Sequence, residues 1–128
     1  MGIGVIGGGG GALTRGKTTL SPSIFPVTSI QDGGIVTSRV RVPNDKDLYL
    51  WSLGVQDFAG NTFTDLTISV IDESTATTVQ STNEKNIRSE DNLGVVEGPA
   101  DVRVEIENQT GGTVNAGGEY LVTVEDKD

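Results

Sequence analysis

From Ile30 onward, hydrophobic and polar residues alternate with a period of two, the spacing of a strand with one face in a core and one in water. Val36, Ser38, Val40 and Val42 fall on one face, and Thr37, Arg39 and Arg41 on the other, before Pro43-Asn44-Asp45 marks a turn. Leu66, Ile68 and Val70 alternate with Thr67 and Ser69. Near the end, Val102, Val104 and Ile106 are expected to pair with Tyr120, Val122 and Val124, with Arg103, Glu105, Glu107 and Glu125 turned outward. Leu48 to Val55 is apolar on both faces, which predicts a central strand or one covered on its second side by the N-terminal arm or a partner.

Ile71 to Val79 and Ile106 to Val114 align without a gap at an offset of 35 residues, and both read as hairpins built to one plan. With turn signals at sandwich spacing, the pattern predicts about eight strands in an antiparallel β-sandwich, jelly-roll-like or Ig-like, over residues 27–128. Its expected core is Val40, Leu48, Leu50, Trp51, Leu66, Ile68, Val70, Val104, Ile106, Tyr120 and Val122. Trp51 is assigned there because it sits in mid-strand among Leu and Tyr.

Residues 1–26 show neither a strand nor a helix period. Eight glycines lie in the first sixteen positions, followed by Pro22 and Pro26, and the segment reads as an extended arm. It has no basic n-region, its apolar residues are interrupted by glycine, and no apolar stretch in the chain is long enough to cross a bilayer. The expectation is a soluble protein made in the cytoplasm.

Composition strengthens the all-β reading. Val, Ile and Thr make up 39 of 128 residues and Ala only 5, a mixture that favours strands over helices. The absence of Cys and His excludes disulfides, thiolate zinc sites, Ser-His-Asp triads and HExxH metalloproteases. The formal charge of -9 is uneven: residues 1–41 carry a net positive charge and residues 42–128 all of the acidic excess. An acidic body repels nucleic acid and anionic membrane, and its low Lys content suits a saline setting that screens self-repulsion.

Several motifs match without their context. Gly11-Ala12-Leu13-Thr14-Arg15-Gly16-Lys17-Thr18 satisfies the phosphate-binding GxxxxGK[ST] pattern, but polyglycine precedes it, and Pro22 and Pro26 follow where a helix is required. Gly2 to Gly7 fits GxGxxG with no strand before it. No cofactor is expected from either. Asn108-Gln109-Thr110 is a glycosylation sequon placed on a surface turn. Acidic pairs at Asp45/Asp47, Asp57/Asp65 and Glu90/Asp91 are candidate ligands for a structural cation such as Ca²⁺, though without EF-hand spacing. Arg15, Lys17, Arg39 and Arg41 form a basic group that, lacking interleaved aromatics, fits an acidic protein neighbour better than nucleic acid.

Asp47 to Gly54, Thr64 to Val70, Ala100 to Gly111 and Tyr120 to Val124 together resemble the small acidic β-sandwich virion proteins of tailed viruses that infect halophilic archaea. The resemblance spans residues 36–125 and leaves the arm outside it. It implies a non-enzymatic structural role in the virion: a capsid decoration or minor capsid protein, cement or turret, or else a tail or fibre component. The partners it implies are further copies of the chain and the major capsid or tail proteins. On that reading Gly7, Gly8, Gly9, Gly10 and Gly11 permit close backbone approach to a neighbouring subunit. Ile3, Val5, Ile6 and Leu13 supply apolar anchors, and Arg15 and Lys17 meet acidic surface. The alternative use of such a sandwich is carbohydrate binding or host adhesion, through loops such as Asp57 to Asn61 and Asn83 to Asn92.

Overall fold

The computed structural model describes residues 17–19 and 23–127. Among the described residues there are ten strands: β1 (Lys17–Thr19), β2 (Ser23–Ile30), β3 (Ile35–Val42), β4 (Lys46–Asp57), β5 (Leu66–Asp72), β6 (Thr77–Thr82), β7 (Ile87–Arg88), β8 (Gly94–Glu97), β9 (Ala100–Asn108) and β10 (Val114–Asp126). Two of the sheet edges are broken strands. β1 and β2 both run along β10, and β7 and β8 both run along β4. Counting each broken edge as one, the chain forms eight rows. The first sheet runs β1/β2, β10, β4, β7/β8 and the second β3, β9, β5, β6, all antiparallel. Numbered along the chain, that order is 1-8-3-6 facing 2-7-4-5, the double Greek key of a jelly roll. The expected antiparallel sandwich is thus a jelly roll and not Ig-like.

Alternation explains which side chains meet. β5 and β9 each bury every second residue, so Leu66, Ile68, Val70, Val102, Val104 and Ile106 face inward from the second sheet. Leu48, Leu50, Leu53, Val55, Tyr120 and Val122 face them from the first. Tyr120 lies 6.2 Å from Phe25, ring to ring, and its hydroxyl shares a 3.2 Å hydrogen bond with Ser38 Oγ, so its one polar atom is satisfied across the sandwich. Of the expected core, Val40 is half-buried against this cluster.

Trp51 does not belong to the core. Leu48 and Leu50 point inward, so Tyr49 and Trp51 share the outer face of the first sheet, where their rings stack at 6.2 Å with 19° between planes. A bulge opposite Leu121 and Val122 inserts an extra residue there, which lets Leu53 and Val55 return to the core.

The last two strands do not pair with each other. β9 bonds β3 and β5, whereas β10 bonds β4, β1 and β2, so Val104 and Val122 lie in opposite sheets. Of the two segments that align at 35 residues, only Ile71 to Val79 belongs to a hairpin, β5–β6; the other crosses between sheets. The outer-face polarity matches because both segments leave a strand with one buried face, whatever the strand joins next.

Part of the expected arm is strand. Residues 17–19 and 23–26 lie in β1 and β2, bonded to β10 of the same chain. Pro26 falls where the ladder shifts opposite Gly117, at an edge, where a residue without an N–H is tolerated.

Candidate functional site

Of the expected assembly residues, Ile3, Val5, Ile6, Gly7, Gly8, Gly9, Gly10, Gly11, Leu13 and Arg15 lie outside the described residues. Lys17 starts β1, with its backbone in register with Glu125. The phosphate-loop pattern therefore ends in a strand at Lys17 and Thr18, where that motif needs the first turn of a helix.

Within the basic group, Arg39 and Arg41 are paired inside the chain. Arg39 Nε lies 3.1 Å from Glu73, and Arg41 lies 3.1 Å from Asp101. Register sets Arg39 directly opposite Arg103, a like-charge pair, and Glu73 bridges them by accepting from Arg103 at 3.0 Å as well. The hydrogen bond from Arg39, helped by the charges of Arg39 and Arg103, holds the Glu73 carboxyl below the usual range despite partial burial pushing the other way. A depressed carboxylate contributes stability above its unfolded pKa and loses it as pH falls through the folded one. Glu73→Gln is thus expected to be less stable than the parent near neutrality, with the gap closing as urea unfolding is repeated down to about pH 3. A gap that stays constant with pH would show that the bridge contributes nothing through its charge.

Asp57 and Asp47 of the acidic pairs are likewise engaged. Asp57 accepts from the N–H groups of Ala59 and Asn61 and from Asn61 Nδ2, which closes its own turn and lowers its carboxyl. Lys46 pairs with Asp126, and Lys127 with Asp47 at 2.9 Å. Among the described residues, no three carboxylates gather as a cation cage.

Asn108 of the sequon does not lie on a surface turn, although Gln109 beside it is exposed. Asn108 is fully buried at the end of β9, where Nδ2 donates to Ile30 O (2.7 Å) and Gly112 O (2.8 Å). Its Oδ1 accepts from the N–H (2.9 Å) and hydroxyl (2.7 Å) of Thr110. All four hydrogen-bonding positions of the amide are used, so Asn108 is a structural staple with no free N–H for a glycan.

The two loops considered for adhesion reach different places. Phe58 (74% exposed) and Phe63 (37%) flank the Asp57 turn. The segment after β6 folds over the outer face of the first sheet: Val55 N–H donates to Glu84 O, and the Lys85 carbonyl lies against Gly54. This builds an open groove of about 350 Å³ lined by Trp51, Ser52, Asn86, Arg88, Ser89, Glu119 and Leu121. Trp51 is held in place by Tyr49 against its ring and by its indole N–H, which donates to Thr123 Oγ1 at 2.8 Å. Asn86 continues into a shallower cavity with Thr62, Glu84 and Lys85. Strict alternation from Leu48 is the signal that would have set Trp51 on this face; the groove's other wall comes from β7 and β10, which no local pattern joins to β4.

No family model matches the chain, and no curated protein does either. Among solved structures it is similar to Aeromonas hydrophila PliG, a periplasmic lysozyme inhibitor of g-type lysozyme, at a TM-score of 0.50 and 5% identity over 87% of this chain and 91% of that one. It is also similar to the CUB1-EGF-CUB2 domain of human MASP-1/3, at a TM-score of 0.41 and 14% identity over 79% of this chain and 42% of that one. What the chain has in common with PliG is the β-sandwich fold alone.

Proposed function

We propose that the chain is a non-enzymatic virion structural protein, a capsid decoration or minor capsid subunit whose N-terminal segment docks on neighbouring subunits. The observation that carries the reading is the placement of β1: the sixteen residues before Lys17 lead directly into an edge strand of the first sheet. A segment tethered at an edge can engage a neighbour without disturbing the core. The resemblance to virion proteins of halophilic archaeal viruses and the acidic body support the same role. With Arg39 and Arg41 paired inside the chain, Arg15 and Lys17 of the segment are left to meet an acidic neighbouring surface.

The test is the mass in solution, by light scattering in multimolar salt, of the full chain and of a truncation lacking residues 1–16. The cut stops before Lys17 because removing β1 would bare the edge of β10 at Thr123 to Glu125. The expected result is a discrete oligomer that becomes a folded monomer on truncation, with the urea midpoint unchanged. Oligomers of equal mass in both forms, or a monomer in both that also fails to bind capsid shells, would overturn the proposal.

A further inference from the structure

A hollow and a knob lie side by side at one end of the first sheet. The hollow forms on the outer face, where β4 and β10 carry Gly54 and Gly117 one step apart across the ladder, Glu119 facing Gly54 and Gln56 facing Gly117. Neither glycine can take a side chain that would fill it: a Cβ on Gly117 would lie 2.7 Å from Phe25 O, and one on Gly54 1.7 Å from Lys85 O. Ile24 and Val27 of β2 form one rim and Gln56 and Lys85 the other, around an open space of about 190 Å³. Both β2 side chains are exposed, at 70% and 56%, so the rim is apolar and faces solvent. The knob is Phe58, two residues beyond Gln56 and 74% exposed. Its turn is tied down, because Asp57 accepts from the N–H groups of Ala59 and Asn61, and Phe58 N–H donates to Asn115 O of β10. A ring held out on a tied turn loses little further freedom on docking.

We infer that this end of the first sheet is a two-fold contact between copies of the chain, in which Phe58 of each copy enters the glycine-floored hollow of the other. Knob and hollow are neighbours at one end of the molecule, as an isologous pair requires, since each copy then gives and receives the same contact. The sizes agree: an apolar cavity of ~150 Å³ holds a benzene ring, and the hollow offers about 190 Å³. Charge also favours a second copy. The chain carries -9, so copies repel over most of their surface, yet the residues lining the hollow include one acid, Glu119, and one base, Lys85, and sum to neutral. Lys85 Nζ reaches over the Phe58 turn, 3.6 Å from the Cβ position of Gly60, and so moves with the knob, while Glu119 lines the hollow. The two-fold therefore brings Lys85 of each copy toward Glu119 of the other, and among the described residues neither forms an ion pair within its own chain. Two rings and the rims they cover bury roughly 800 Å², below the ~1,200 Å² of stable specific interfaces. On the assembly reading, on which this rests, residues 1–16 gather the copies and the knob and hollow fix how they face.

The experiment uses the full chain in multimolar salt. Light scattering over a dilution series compares the parent with Phe58→Ser and with Val27→Glu, both at exposed positions, while circular dichroism and the urea midpoint establish that each variant is folded. Each substitution should raise the concentration at which the oligomer half-dissociates by about tenfold. An equimolar mixture of the two should fall between parent and variants, because Phe58 of the Val27→Glu copy still fits the hollow of the Phe58→Ser copy. The chain has no Cys, so introduced thiols report only the designed contact. In a second arm, Phe58→Cys copies are mixed with Val27→Cys copies under mild oxidation, which leaves one knob and one hollow per pair intact. A disulfide needs Cα atoms within ~7 Å, so the mixed dimer should form several-fold faster than when Thr78→Cys, at an exposed position of the second sheet, replaces Val27→Cys. A dissociation series unmoved by both substitutions, or Cys pairs that link no faster than this control, would overturn the inference. An oligomer that is lost without residues 1–16 yet untouched by Phe58→Ser keeps the assembly reading and removes this one. A parent that is monomeric throughout removes the assembly reading, and the disulfide arm at millimolar concentration then decides the contact: linkage above the control supports it, and none overturns it.

Discussion

Asn108→Ala is expected to destabilise the protein by about 3–5 kcal/mol, among the largest effects of any single side chain outside the apolar core. The amide joins three parts of the chain: the end of β9, the end of β2 through Ile30 O, and the crossover to β10 through Thr110 and Gly112. The backbone around it adds to the staple, since Asn108 N–H donates to Gly34 O and Gly33 N–H donates to Asn108 O. Gly33 sits at φ 80, a turn conformation that costs a side chain but not glycine. Truncation to Ala leaves the buried Ile30 carbonyl and the half-buried Thr110 N–H short of partners, while the exposed Gly112 carbonyl keeps the Thr110 hydroxyl; a buried group stranded in this way costs about 1–3 kcal/mol. Urea unfolding followed by Trp51 fluorescence measures the loss. A companion variant, Asn108→Asp, keeps the acceptors but turns a carboxylate toward two carbonyl oxygens. Its folded state therefore favours the protonated acid, with a raised pKa, so it should be most stable in acid and lose stability as pH rises through that pKa. An Ala variant within about 1 kcal/mol of the parent would show that the crossover does not depend on the staple.

The second large effect is expected at Gly54. A Cβ there would lie 1.7 Å from the Lys85 carbonyl oxygen and 2.5 Å from its carbon, both backbone atoms that no rotamer can move. Relief requires lifting residues 84–86 from the sheet, which breaks the Val55 N–H to Glu84 O bond, or bending β4, whose inner face carries Leu53 and Val55 in the core. Either route costs about 3 kcal/mol or more. Gly54→Ala should therefore lower the urea midpoint sharply and open the Trp51 groove, red-shifting its emission. Gly112→Ala is the control: nothing lies within 4 Å of its Cβ position and its φ is not positive, so its effect should stay within about 0.5 kcal/mol. Equal effects at the two glycines would mean that chain entropy, and not the close approach, governs Gly54.

Much of the fold was legible because alternation reports which face of a strand is buried. Leu66, Ile68, Val70, Val104, Ile106 and Val122 all entered the core as that rule requires. The same rule, applied strictly, separates Leu50 from Trp51, since neighbouring residues in a strand face opposite sides; grouping them by hydrophobicity alone set Trp51 on the wrong face. Asn108 was not legible, because a sequon reads three residues, whereas its partners Ile30 and Gly112 are chosen by where β2 and the crossover meet β9. The pairing of β9 was not legible either. An alternating strand next in sequence to another serves equally well as its hydrogen-bonded neighbour or as its partner across the core, and periodicity is identical in both cases.

From the sequence by itself follow the strands, their inner and outer faces, the acidic surface and the chemistry that a chain without Cys or His lacks. These are local or compositional properties, set by residue type and spacing. Only the tertiary structure decided the jelly-roll order, the burial of Asn108, the Glu73 bridge between two facing arginines and the groove that joins Trp51 to Arg88 and Glu119. Each depends on which strands became neighbours, a choice made by fitting two sheets around one core, and residues far apart in the chain carry no mark of it.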